Sequence, residues 1–447
     1  MENQTQNKSF SFFQTTTAKL IMVGILTLVL LIPLALVKDL INERSLRKNE
    51  ANETVTNSWG ENIMYMGPIL KVPYKRYTET EEIDEKTKQK SIKRYSYTEN
   101  AYFFPTELNH TTQVEKIDNI KLGIYNPIVF KAGIKTNGNF NELDLEKLAI
   151  KPENVEWDKA TILIKTTDLK SIKSDLTITF NNEKLALETN SDDDNYFDTL
   201  ESSTFSLNQT LQNEFTFEIS YNGSNSIEFI PIGKTTKTNV DANWGSPSFI
   251  GNFAPNDTSK TITNTNFHAD WKLIHVNRPF SQQYAEKLPN LTTYSYGVKL
   301  IETVDNYQQN ERAAKYGFLV IGLTFLVFFL IQTISKVNIH IFQYTMIGLA
   351  LIMFYTLLIS ITEHSSFTIA YAIAASSVII MLLLYSISVL KNKKFPLFIS
   401  ASLALLYSFI FVIIQLEDYA LLVGSIGLFL ILGAVMYFSR KIDWSTN

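Results

Sequence analysis

Charge is missing from five long stretches of this sequence, and those gaps constrain the fold more than any motif does. Between Gly317 and Phe438, the segments 317–335, 342–361, 367–390, 395–414 and 419–438 hold no Asp, Glu, Lys or Arg. Each is about 20 residues, the length that crosses a hydrocarbon core of about 30 Å as an α-helix. A sixth apolar run, Ala18–Val37, lies near the N-terminus, and the long stretch between the first and second runs is polar and strand-like. The sequence therefore predicts a mixed membrane protein. Six transmembrane α-helices carry a large outer antiparallel β-sandwich-like domain, inserted between helix 1 and helix 2. The predicted parts are 1–58 (cytoplasmic N-terminus, first helix and its outward extension), 59–312 (extracytoplasmic β-rich domain) and 313–447 (five-helix membrane domain with a cytoplasmic C-terminus).

Averages hide this division. Charged residues make up 19% of the chain and the formal net charge is −4. That balance speaks against a nucleic-acid partner, since phosphate binding needs concentrated basic surface. The chain has no cysteine, which excludes disulfides, thiol catalysis, Cys-ligated zinc and iron–sulfur clusters. The first apolar run is longer than a signal-peptide h-region and lacks an A-x-A cleavage pattern after it, so it reads as an uncleaved signal anchor.

Loop charges set the expected orientation. Lys336, the 391–394 loop with Lys391, Lys393 and Lys394, and the tail with Arg440 and Lys441 are basic. The intervening loops hold Glu363–His364 and Glu417–Asp418. Basic and non-basic loops alternate, so the positive-inside rule puts the basic ones and both termini in the cytoplasm and the 45–312 domain outside. Lys38, Arg44, Arg47 and Lys48 at the outer end of the first span run against this. Long domains, however, cross with little regard to such charge.

In the outer part, 38–58 reads as a helix continuing out of the membrane, with Glu43 and Arg47 at i,i+4. Gly67–Pro68 then opens a strand-rich region. Phe215, Phe217, Ile219 and Tyr221 alternate with polar residues, the period of a half-buried strand. Asn222–Gly223 reads as the turn of a hairpin returning through Ile227–Ile232. Leu176–Phe180 and Lys184–Glu188 form a second expected hairpin about Asn181–Asn182. Further strand candidates are Leu70–Tyr77, Ile92–Phe104, Ile120–Tyr125, Ile128–Ile134, Ala160–Ile164, Lys237–Trp244, Thr261–Leu273 and Thr292–Glu302. A short helix is expected at Leu169–Ser174, and Glu79–Lys93 reads as an exposed hairpin tip.

The most specific local string is Trp244–Pro255, containing Trp244, Pro247, Ser248, Phe249, Gly251 and Phe253. Pro and Gly fix unusual backbone angles and aromatics supply buried area. The string reads first as a rigid corner on the sandwich, and second as a surface docking a partner, a substrate or the membrane domain. Ser248 is not in a G-x-S-x-G elbow. Glu363 and His364 adjoin in a short loop at the outer membrane boundary between the third and fourth spans, where water can solvate them; the alternative is a proton, metal or headgroup role. Glu311, Arg312 and Lys315 precede the second span and are expected to cap and anchor its outer end. Asp192–Asp193–Asp194 lacks calcium-loop spacing, and His110, His268 and His275 lack metal-ligand spacing. The five-span block carries no charge in its interior for ion coupling, and no Walker A string is present.

These residues resemble the CreD family of bacterial inner-membrane proteins, called cell-envelope integrity proteins. The resemblance rests on Asn42–Glu43–Arg44, Gly67–Pro68–Ile69–Leu70 with Val72–Pro73, the Trp244–Pro255 string, and Asp305–Asn306–Tyr307. It continues through Glu311–Arg312–Ala313–Ala314–Lys315–Tyr316, Leu323–Thr324–Phe325, Glu363–His364 and Ile442–Asp443–Trp444. The chain departs from it at Gly245–Ser246, where Pro-His is expected, and at Ala254, where Leu is expected. The resemblance implies a bacterial cytoplasmic-membrane location and a part in envelope stress, but no catalytic set.

The resulting expectation is a non-enzymatic inner-membrane protein, without cofactor or metal, that supports envelope integrity through its outer β-domain. Its partners are the lipid bilayer and an envelope protein or a second copy of the chain. The alternatives are a transporter or permease component for an apolar or amphiphilic substrate, and a membrane-anchored enzyme modifying the envelope.

Overall fold

A computed structural model describes residues 16–83, 90–118, 120–141, 143–190, 196–207, 213–301, 305–335, 337–390, 394–416 and 419–440. The Asp192–Asp194 turn, Lys336, Lys391, Lys393, Glu417–Asp418 and the tail beyond Arg440 lie outside these residues. The chain forms two compact units, residues 50–303 and the chain before and after them.

The strands of the 50–303 unit are, in chain order, β1 (Ile63–Ile83), β2 (Lys90–Phe103), β3 (Glu107–Lys116), β4 (Val129–Phe140), β5 (Thr161–Thr166) and β6 (Thr177–Phe180). They continue with β7 (Glu183–Asn190), β8 (Asp198–Ser202), β9 (Asn213–Ser224), β10 (Ser226–Phe229), β11 (Thr235–Ala242) and β12 (Pro247–Gly251). The last four are β13 (Thr261–Ile262), β14 (Phe267–Ile274), β15 (Gln283–Ala285) and β16 (Tyr296–Leu300). One pairing path, β12-β16-β10-β1-β5-β8-β7-β6-β9-β4-β3-β11-β14-β13, folds over at the β6–β7 hairpin. Its halves meet face to face. Tyr65 of β1 stands edge-on to His110 of β3 with centroids 5.5 Å apart. Tyr221 of β9 donates to Thr166 of β5 at 2.9 Å, and Thr238 of β11 bonds Tyr296 of β16 at 2.6 Å. The result is a sandwich, antiparallel among the described residues except for β1–β10 and β3–β11.

The period-two expectation holds in β9, where Phe215, Phe217, Ile219 and Tyr221 are buried and Glu214, Thr216 and Glu218 exposed. The Asn222–Gly223 hairpin does not form. β9 runs through both residues, paired to Lys131 and Phe130 of β4. The chain turns at Asn225, whose φ is 59°, and enters β10, which pairs with β1 and β16 in the other layer. Gly223 serves close approach instead. A Cβ there would lie 2.7 Å from both Ile63 and the Phe130 ring. The Asn181–Asn182 turn forms as expected, with φ of 45° and 68°. Ile120–Tyr125 is not a strand. The backbones of Leu122 and Tyr125 exchange two 3.1 Å bonds around a tight turn, and Leu122 and Ile124 point outward, about 40% exposed. The Thr261–Leu273 candidate is interrupted between β13 and β14. Thr292–Tyr294 is a 3₁₀ turn ahead of β16, and the expected helix at Leu169 is a 3₁₀ turn, Leu169–Ser171. Beyond the core, Lys75–Ile83 and Lys90–Thr98 continue as a two-stranded ribbon exposing Tyr77, Ile92, Tyr95 and Tyr97.

The other unit is helical. Its elements are α1 (Thr16–Trp59, whose last ten residues belong to the 50–303 unit), α2 (Asn306–Lys315), α3 (Gly317–Ser335), α4 (Ile341–Thr362), α5 (Phe367–Leu390), α6 (Lys394–Gln415) and α7 (Ala420–Ser439). Among the described residues, six helices are long and apolar enough to cross a membrane. α1 docks by one stripe, Leu26, Leu30, Leu34, Val37 and Ile41, all buried and spaced three or four residues apart on one helix face. Two glycines receive it. A Cβ at Gly348 would lie 2.1 Å from Leu30, and one at Gly317 2.7 Å from Leu34. Such small-residue seats let membrane helices approach closely. Inside the bundle, Phe354, Tyr355, Tyr371 and Tyr407 form a buried aromatic cluster.

Candidate functional site

The Trp244–Pro255 string divides into two parts. From Pro247 onward it is framework. β12 pairs with β16, Pro247 facing Leu300 and Ser248 facing Lys299 in register. Phe249 stands edge-on to Phe267 and Trp271, at 6.2 and 5.9 Å. Gly251 adopts φ +88°, and a Cβ would meet the Ser295 carbonyl at 2.1 Å, so the position admits only glycine. Phe253 lies edge-on to Tyr296 at 6.0 Å, and its carbonyl accepts the Trp271 indole N–H at 3.0 Å. Pro255 is buried.

Trp244, Gly245 and Ser246 behave differently: they line a cleft of about 760 Å³. Three connections build it: the β3–β4 loop, the 243–246 segment ahead of β12, and the β13–β14 loop. The end of β16 closes it at Ile301. Loops held on a rigid sandwich are the usual seats of binding residues. Gly245 lets two of these loops touch, since a Cβ there would lie 2.1 Å from the Asn264 carbonyl. The third is pinned by Asn243, whose side chain accepts the Lys116 N–H at 2.6 Å. Trp244 is half-buried. Its N–H donates to the Ser246 carbonyl at 3.0 Å, and the Lys116 ammonium lies 5.0 Å from its ring centre. Lys116 also pairs with Asp118 at 2.6 Å.

The second group of expected site residues does not act as one cluster. Glu363 and His364 adjoin in sequence only. Glu363 ends α4 and turns inward, with its side chain 14% exposed and 3.5 Å from the Arg44 guanidinium of α1; His364 is exposed. The two residues therefore differ: His364 is exposed, and Glu363 packs against Arg44. α2 holds Glu311 and Lys315 as an i,i+4 pair at 2.7 Å, while Asn310, Ala313 and Ala314 face inward. Arg312 is half-buried. The helix is started by Asp305, which accepts the Tyr307 N–H and pairs with Lys48 of α1 at 3.3 Å. A separate, nearly all-apolar cavity of about 420 Å³ lies among α3, α6 and α7.

His110 and Arg278 are buried in the sandwich core. Burial holds the His110 imidazole down at about 3; the ring stacks on Phe229 at 5.2 Å and bonds Thr136 at 3.0 Å. Burial also lowers Arg278 to about 10, and its guanidinium donates to the carbonyls of Ile232, Gly233 and Phe280 and to Gln282. No group of three or more His, Asp or Glu able to hold a metal occurs among the described residues.

Sequence reasoning found Trp244 but missed the asparagines and lysines that join it, because they come from loops far apart in the chain. It also missed Arg44 as the partner of Glu363.

A helix bundle with six membrane-crossing helices, and one large β-sandwich between the first and second of them, defines the class: a multi-pass membrane protein displaying a single inserted domain. The family model described as Inner membrane protein CreD matches residues 15–445, and the chain belongs to that family. It is 27% identical to the Inner membrane protein CreD of Escherichia coli (strain K12), over 93% of this chain and 91% of that one. Among solved structures, a candidate nutrient binding protein from Legionella pneumophila matches at a TM-score of 0.26 and 8% identity. That match covers 50% of this chain and 77% of the other.

Proposed function

We propose that this protein is a non-catalytic component of the bacterial inner membrane that supports the cell envelope. Its sandwich stands on the outer side and works by binding another envelope component. The location is supported by the name of its relative and by the alternation of basic and non-basic loops. One observation carries the binding reading: three loops of the sandwich converge on the cleft beside Trp244, pinned through Gly245 and Asn243. A second reading, a permease component for an amphiphilic substrate, draws on the apolar cavity among α3, α6 and α7.

The test is complementation in cells lacking the protein, scored as survival under a detergent or a cell-wall-active agent. Asn126→Ala with Asn266→Ala alters the cleft at exposed side chains and is expected to abolish protection while the protein inserts and folds. Val327→Trp fills the membrane cavity, which Val327 lines, and is expected to leave protection intact. Normal protection by the cleft variant, with loss in Val327→Trp, overturns the proposal in favour of transport.

A further inference from the structure

We propose that the cleft beside Trp244 is a saccharide site, built for a neutral or N-acetylated glycan of the envelope. This rests on the reading above, that the sandwich works by binding, and names the ligand class. A sugar ring offers two kinds of surface: apolar C–H faces, and a rim of hydroxyls that need both donors and acceptors. The cleft supplies both. Trp244 lines the cleft with apolar ring surface, its N–H already bonded to the Ser246 carbonyl and Lys116 5.0 Å from its ring centre, and such a ring suits the C–H face of a sugar. Asn126, Asn243, Asn264 and Asn266, all exposed, surround it, and each amide carries donors and an acceptor in one plane. At about 760 Å³ the cleft has the size of a small-molecule site.

Charge argues against the rival ligands. Lys116 is neutralised by Asp118 at 2.6 Å, which leaves Lys121 as the other cation in the lining. A phosphate or nucleic-acid ligand calls for a concentration of basic groups. A wholly apolar ligand would strip water from four amides without returning their hydrogen bonds, which is unfavourable. Ile120, Ile128 and Ile301 add apolar surface among the amides, suited to the methyl group of an N-acetyl sugar.

The experiment uses the full chain in detergent and a defined probe, the β1,4-linked tetramer of N-acetylglucosamine. Binding is read by isothermal titration and saturation-transfer NMR, and folding by protease resistance of the sandwich. Saturable binding is expected for the unaltered chain. A loss of at least tenfold is expected in Trp244→Ala, and again in Asn126→Ala with Asn266→Ala, whose folding should be unaffected. Trp244→Phe should retain part of the affinity. No saturable binding by the unaltered chain overturns the proposal, as does equal binding by the folded double variant. Binding to vesicles of anionic phospholipid in place of the tetramer also overturns it. Tetramer binding with normal envelope protection by the cleft variants supports the site and overturns the proposed function. Loss of protection in those variants without tetramer binding does the reverse.

Discussion

Two tryptophans of the sandwich should respond very differently to truncation. Trp271 is 2% exposed, lies against Phe249 and Tyr296, and donates to the Phe253 carbonyl. Trp271→Ala removes a fully buried ring, worth about 3–5 kcal/mol, and leaves a carbonyl without its donor, about 1 kcal/mol more. In a domain of this size each kcal/mol moves the melting temperature by about 2–4 °C, so a fall of at least about 8 °C is expected. Trp244 is half-buried and its N–H bonds only two residues along the chain. Trp244→Ala should cost about 1–2 kcal/mol, a fall of about 2–8 °C. The assay is protease resistance of the sandwich in the detergent-solubilised chain as temperature rises, because the two units need not unfold together. A Trp244→Ala fall as large as that of Trp271→Ala would refute the division of the string into framework and cleft.

Other substitutions probe the core and the helical unit. His110 contributes stability that is fully present above about pH 6.5. Its folded value is about 3, so the unfolded chain takes up the proton first, and stability falls as pH drops from about 6.5 towards 3, by about 1.4 kcal/mol per pH unit. His110→Phe should flatten that slope by one proton in an acid-unfolding series; an unchanged slope would count against a neutral buried imidazole. Arg278→Met should lower sandwich stability by about 2–3 kcal/mol, since the Gly233 and Phe280 carbonyls lose their donor while Ile232 keeps Gln282, and a change below about 1 kcal/mol would contradict that role. Gly348→Val should push Leu30 off its seat. A crosslink between cysteines placed at Arg44 and Glu363 should then disappear, and its persistence would show that α1 docks otherwise. In the chain without those cysteines, Glu363→Gln should lower the stability of the helical unit by about 1 kcal/mol in a heat challenge, while His364→Asn leaves it unchanged; equal effects would restore a joint role for the two residues.

The membrane helices were legible because a run of about 20 apolar residues without charge suits a hydrocarbon core and little else. The docking face of α1 was not: a run that is apolar all round carries no periodicity to mark Leu26, Leu30 and Leu34 as inward. In the sandwich, alternation identified β9 and the Asn181–Asn182 turn. Asn222–Gly223 misled because glycine serves both turns and close approach, and only the neighbouring Phe130 and Ile63 decide between them. Ile120–Tyr125 misled because its apolar residues are those of a strand, whereas Leu122 and Ile124 face outward from a turn. Of the cleft, only Trp244–Ser246 stood out. Asparagines at 126, 243, 264 and 266 look like ordinary loop residues until the sheet brings their loops together.

Orientation underlies the whole functional reading, and it can be read at the cleft itself. The chain has no cysteine, so Ser246→Cys places a single thiol in the cleft lining. Spheroplasts carrying this variant are treated with a membrane-impermeant maleimide before and after lysis. An outward sandwich with an open cleft predicts full labelling in intact spheroplasts and no gain on lysis. Labelling that appears only after lysis would put the sandwich in the cytoplasm and contradict the account.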